Sequence, residues 1–142
     1  MEIVFVYGTL KKAHGNHRLI HGSKYVGTGL TKDKFVMYED GIPYVSKRYP
    51  STNISGELYQ VSKATLADLD MLEGHPIWYK REKTLIKVID KNNNIKLINA
   101  WLYFNEMIPS GAKINNIGIY GYKEKSKFIS LLHKQENQGE DR

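Results

Sequence analysis

The chain has 142 residues, enough for one domain with a core that needs no metal or crosslink, and its 41% hydrophobic and 25% charged content is ordinary for a globular protein. No apolar run approaches the roughly eighteen residues that span a bilayer, and the absence of cysteine removes disulfides, thiol nucleophiles and thiolate metal sites. The net charge of +6 comes from Lys and Arg scattered along the chain rather than gathered into an aromatic-laced stripe, so neither a nucleic-acid nor a membrane partner is expected.

Met1 to Tyr7 lacks the basic flank and small-residue cleavage site of a signal peptide, so it reads as structure, and a cytoplasmic location is expected. Residues 2–7 are a nearly continuous apolar run halted by Gly8, the pattern of a central strand buried on both faces. After a polar loop, Lys24 to Thr31, Lys34 to Tyr38 and Pro43 to Lys47 mix β-branched and aromatic residues broken by glycine, which predicts irregular strands. Ile54 to Val61 alternates apolar and polar positions as a half-buried strand does, although its partner cannot be read. Ser62 then offers an N-cap, Leu66, Leu69 and Leu72 recur every third position, and Gly74 closes the predicted helix. Tyr79 to Asp90 and Ile95 to Phe104 flank the turn-rich Lys91 to Asn94 and predict a long hairpin. Pro109 to Gly121 reads as loop, Lys123 to His133 as a short helix, and residues 134–142 as a frayed polar tail on a single domain of residues 1–133. Without repeat or linker, the sheet must curl on itself with a helix against one side, an α+β fold.

Two features invite chemistry. Glu73 sits in the last turn of the predicted helix, where the macrodipole disfavours a carboxylate. Asp70 one turn earlier, with Leu72 and Trp78 near, would raise its pKa toward that of a general acid/base. From this feature alone, an exposed helix-end glutamate paired with Lys80 or Arg81 is the favoured explanation of the placement. The second feature is Tyr7-Gly8-Thr9-Leu10, where a buried strand ends in a turn whose successive N–H groups suit an anion, though it also fits an ordinary strand-ending turn. His14, His17 and His21 share helical spacing, but Gly15 and Gly22 spoil the helix and no carboxylate is close. No metal is expected there, and Asn16 and His17 are read as shaping the loop by hydrogen bonds. No Gly-x-Ser-x-Gly elbow and no Walker or dinucleotide glycine pattern occurs, so neither a covalent mechanism nor a phosphate cofactor is supported. Among Tyr59, Tyr79, Tyr103 and Tyr120, one or two are expected at the pocket wall and the rest in the core or at its rim.

Five ordered stretches give these features a common context: Phe5 to Lys11, Asn16-His17-Arg18, Gly56 to Tyr59, Leu69 to Gly74 and Tyr79-Lys80-Arg81. Together they resemble the γ-glutamylcyclotransferase-like superfamily, most closely its γ-glutamylamine cyclotransferase branch through Glu73-Gly74-His75-Pro76-Ile77-Trp78-Tyr79-Lys80-Arg81. The resemblance implies a compact mixed β-barrel with a few short helices packed around it and a pocket at the end of the first strand. It implies that the amides of Tyr7, Gly8, Thr9 and Leu10 hold the α-carboxylate of a γ-glutamyl group and that Glu73 is the acid/base, with Tyr79, Arg81 and Tyr103 joining the loop as substrate-binding candidates. The implied reaction needs no cofactor: the α-amine attacks its own γ-carbonyl, releasing 5-oxoproline and a free amine. Backbone N–H groups or a tyrosine hydroxyl would meet the oxyanion. The likeness thins beyond Phe104, which leaves the leaving group open, and no exposed apolar patch is visible from the sequence to indicate an oligomeric state. A different small ligand with an amino-acid head, such as an amino-acid-linked nucleotide signal, is the alternative use of the same pocket.

Overall fold

The computed structural model describes residues 1–11, 14–89 and 92–121. The N-terminal apolar run becomes β1 (Glu2–Val6), and Val4, Phe5 and Val6 are all buried because each face of this strand has a core of its own. Phe5 points into a cluster with Leu58, Ile86 and Leu102, whereas Val4 and Val6 pack with Tyr59, Val61, Leu66 and Leu69.

β1 lies antiparallel to β5 (Ser55–Val61), β5 to β2 (Lys24–Thr31), β2 to β6 (Lys80–Ile89) and β6 to β7 (Ile95–Phe104). β7 then meets β1 in parallel, Val4 opposite Trp101, and this contact closes a five-stranded barrel. Closure brings backbones unusually near one another at Gly56, where an added Cβ would lie 2.4 Å from the Val6 carbonyl oxygen. The strand over Ile54 to Val61, whose partner the sequence left open, thus sits between β1 and β2. The β6–β7 hairpin is in register from Lys80 opposite Phe104 to Ile89 opposite Ile95.

Outside the barrel, β3 (Val36–Asp40) and β4 (Ile42–Ser46) turn tightly at Gly41, a shift of one or two residues from the expected segments. They form a second sheet with β8 (Lys113–Asn115), which pairs with Glu39 to Met37. β8 corrects the expectation of loop throughout Pro109 to Gly121. Three residues, Lys-Ile-Asn, are too few and too polar to show a strand period, and pairing rather than propensity makes the strand. Asn115 ends it by accepting the Ile117 and Gly118 N–H groups on its side-chain oxygen at 3.0 and 3.1 Å.

The one α-helix among the described residues, α1 (Lys63–Glu73), packs on the barrel's outer face through Leu66 and Leu69. Ser62 caps it, accepting the Thr65 N–H at 3.1 Å, and Gly74 at φ 64° ends it in the left-handed conformation. The cap determines where Glu73 sits, in the last turn and directed at the barrel's end. The predicted helix at Lys123 to His133 and the tail at residues 134–142 lie outside the described residues.

Candidate active site

At the end of β1 the chain turns through Gly8 to Lys11, the Lys11 N–H donating to the Gly8 carbonyl at 3.0 Å. Asn16 pins the turn twice: its N–H donates to the Thr9 carbonyl and its side-chain amide to the Thr9 hydroxyl, both at 2.9 Å. His17 Nδ1 lies 2.9 Å from the Leu10 carbonyl oxygen. With the carbonyls so engaged, the N–H groups of Gly8, Thr9 and Leu10 have no acceptor among the described residues. Three adjacent unsatisfied donors on a fixed turn are a ready seat for an anion. Gly8 also packs against β4, since an added Cβ would stand 2.8 Å from Pro43 Cγ.

This turn forms one wall of a cavity of about 180 Å³, room for a small organic molecule rather than a single water. Leu72 and Glu73 come from the end of α1, Ile42 and Pro43 from β4, Trp78 and Tyr79 from the approach to β6, and Tyr103 from β7. Of the residues singled out from the sequence, Tyr7, Gly8, Thr9, Leu10, Glu73, Tyr79 and Tyr103 all border this cavity. Arg81 does not. Its guanidinium grips Asp70 with two bonds of 2.8 and 3.2 Å and stacks 4.3 Å over the Trp101 ring.

Glu73 has neither hydrogen-bond nor ion-pair partner for its carboxylate among the described residues, and burial pushes its pKa up to about 7. Asp70 is not what raises it. Burial pushes the Asp70 carboxyl up, but the hydrogen bonds from Arg81 and Tyr103 and the Arg81 charge outweigh this and hold it below its usual value. The expected carboxylate-on-carboxylate effect fails because Asp70 is already neutralised, and the pairing of Glu73 with Arg81 fails because Arg81 is already taken. Burial likewise raises the phenols of Tyr7, Tyr79 and Tyr103 far above their ordinary values, with the Glu73 charge adding to each.

The sequence reading did not anticipate that Ile42 and Pro43 form the facing wall. Nothing local marks them, because they arrive through the second sheet. Tyr59 and Tyr120 lie away from the cavity, their hydroxyls donating to Glu57 and to the Gly41 carbonyl at 3.0 and 3.2 Å. Lys11, beneath the turn, is buried and donates to the Tyr120 carbonyl at 2.6 Å. Among the described residues no group of three His, Asp or Glu side chains could hold a metal ion.

Residues 4–121 match the family model described as gamma-glutamyl cyclotransferase, AIG2-like. The chain belongs to this family. A Methanocaldococcus jannaschii protein provisionally named a gamma-glutamylcyclotransferase is 47% identical over 105 residues, covering 73% of this chain and 84% of the relative. The rat protein named gamma-glutamylaminecyclotransferase is 33% identical over 100 residues, covering 63% of this chain and 66% of the relative. The crystal structure of a mouse AIG2-like protein superposes with a TM-score of 0.74 at 24% identity, over 88% of this chain and 91% of the mouse chain, and shows the same fold. The protein is therefore a gamma-glutamylcyclotransferase-like enzyme, and the cavity at the end of β1 is its candidate active site.

Proposed function

We propose that this gamma-glutamylcyclotransferase-like enzyme acts on γ-glutamyl amines or closely related γ-glutamyl compounds, releasing 5-oxoproline and a free amine, with Glu73 moving the proton. One observation carries the reading: an unpartnered carboxylate of raised pKa shares a small cavity with three unsatisfied backbone donors. The donors of Gly8, Thr9 and Leu10 suit the substrate's α-carboxylate, whose negative charge replaces three lost hydrogen bonds with water. Anchored there, the substrate folds so that its α-nitrogen faces its own γ-carbonyl. Nucleophile and electrophile belong to one molecule, and well-oriented intramolecular reactions reach effective molarities of about 10⁵ M or more. A bond forms between the α-nitrogen and the γ-carbon, and the bond from that carbon to the leaving nitrogen breaks. Glu73 takes a proton from the attacking nitrogen and delivers it to the leaving nitrogen. A pKa of about 7 lets one carboxyl serve first as base and then as acid near neutral pH.

A panel of γ-glutamyl amines and γ-glutamyl peptides, assayed for 5-oxoproline, tests the proposal. Release from at least one member is expected, and Glu73→Gln should lower kcat by a factor of about 10² to 10⁴. No 5-oxoproline from any member overturns the reaction, and undiminished turnover by the variant overturns the role of Glu73.

A further inference from the structure

The cavity at the end of β1 measures about 180 Å³, below the roughly 300–1,000 Å³ that encloses a drug-sized ligand. It suits the γ-glutamyl head, and a large substituent on the γ-nitrogen must lie outside it. A second depression, a groove of about 320 Å³, is bordered by Pro76, Ile77 and Trp78 from the segment after α1 and by Phe104 and Met107 from the end of β7 onward. Trp78 borders both spaces. The two are also joined through the chemistry: in the proposed reaction Glu73 must reach the leaving nitrogen, and the chain that runs on from Glu73 is the groove's wall. Ile77, Trp78 and Met107 are 81%, 41% and 61% exposed, yet their backbones are pinned. The N–H groups of Ile77 and Trp78 both donate to the Gly74 carbonyl, at 2.9 and 2.8 Å, that of Tyr79 to the Glu73 carbonyl at 3.1 Å, and that of Met107 to the Asn105 side-chain oxygen at 2.7 Å. Large apolar side chains held open to water on a fixed backbone form a preorganised surface for an apolar ligand group.

The groove's charged groups are matched among themselves. Lys47 Nζ pairs with Glu82 and lies 5.3 Å over the Phe104 ring, and Glu106 accepts the Ser46 hydroxyl and, at 2.9 Å, the Lys47 N–H. Lys47 and Lys80 stand against Glu82 and Glu106, so the lining carries no net charge. We infer that this groove seats the leaving group, and that it takes an amine whose body is uncharged and apolar. The inference rests on the proposed γ-glutamyl reading and deepens it by naming the class of amine released. An apolar body covers Ile77, Trp78 and Met107 and removes them from water. A charged one gives up hydration without meeting an excess of the opposite charge.

Three γ-glutamyl amides test this, with kcat/KM read from 5-oxoproline release: the methylamide, the hexylamide and the 5-aminopentylamide. The last two have chains of equal length and differ in ending on a methyl group or an ammonium. Each buried methylene is worth about fourfold, so burial of only two of the extra carbons should favour the hexylamide over the methylamide by at least about tenfold. The 5-aminopentylamide should fall at least about threefold below the hexylamide. Ile77→Ser and Met107→Ser change exposed residues that border the groove but not the cavity, and each should cut the hexyl-to-methyl ratio by at least about threefold. A ratio taken within one protein is independent of how much of that variant is folded. Equal kcat/KM for the methyl and hexyl amides overturns the seat while the reaction stands, as does a ratio that neither variant changes. An ammonium-ended chain used as well as the hexyl chain overturns the uncharged preference. No 5-oxoproline from any of the three amides removes the reaction, and the seat with it.

Discussion

If Glu73 is held in the cavity for its chemistry, the fold should be less stable for carrying it. An ordinary glutamate titrates at 4.5, and burial moves Glu73 to about 7. At 1.36 kcal/mol per pH unit, the difference corresponds to about 3 kcal/mol of extra cost for the charged form in the folded state. The sign follows from proton counting. Between 4.5 and about 7 the folded protein holds a proton that the unfolded chain has released, so this group makes stability fall as pH rises through that window. Below it the carboxyl is neutral in both states and the cost vanishes; above it the full cost is present. Glu73→Gln replaces the carboxyl with a neutral group of the same shape and removes the cost. Urea unfolding of both proteins at pH 4 and at pH 8 reads the effect, and comparing them at each pH cancels every other titrating group. The variant should match the parent at pH 4 and exceed it by up to about 3 kcal/mol at pH 8, roughly 10 °C in Tm for a domain of this size. A gap of the same size at both pH values would refute the reasoning. So would no gain at pH 8, because then burial does not burden the charged form.

Two further perturbations probe the surroundings. Arg81→Gln strips Asp70 of its counter-charge, leaving a carboxylate that keeps the Tyr103 hydrogen bond but no cation, one helical turn from Glu73. The ascending limb of kcat/KM against pH, expected near 7 for a base that must be ionised, should therefore move to higher pH in the variant. An unmoved limb would mean that Asp70 and Glu73 do not sense one another. Gly56→Ala places a Cβ 2.4 Å from the Val6 carbonyl oxygen and 2.7 Å from Phe5 Cζ, so β5 must move away from β1 at the strand that leads into the N–H turn. Chemical denaturation should show a loss of about 1–3 kcal/mol, the usual cost of overpacking, and kcat/KM should fall with it.

What the sequence disclosed was what is local. α1 was legible from Ser62 to Gly74 because cap, apolar spacing and left-handed terminus all lie within a dozen residues, and the β6–β7 hairpin was legible because its turn sits between its strands. β8 and the parallel contact of Val4 with Trp101 were not, since each depends on a partner far away in sequence. The site divides along the same line. Glu73 stood out because a helix end is a poor place for a carboxylate, a purely local argument. The reason for its raised pKa was misassigned, because that depends on which neighbour Asp70 faces. Asp70 and Glu73 are one turn apart, yet Asp70 leans toward Arg81 and Tyr103, residues delivered by β6 and β7.

That division bears on how the site works. The residues proposed to meet the ligand's charges arise where single segments end: the N–H turn at the end of β1 and Glu73 at the end of α1. The bonds that commit the three tyrosine protons are instead tertiary, each joining side chain to acceptor across the fold: Tyr7 to β7, Tyr79 to β4, and Tyr103 to α1. A local motif therefore supplies a carboxylate and a set of N–H groups, which related chains can share, whereas the barrel and its second sheet decide which way each hydroxyl points. A substitution at Asp70, which does not border the cavity, should accordingly alter what the cavity prefers to bind by freeing the Tyr103 proton.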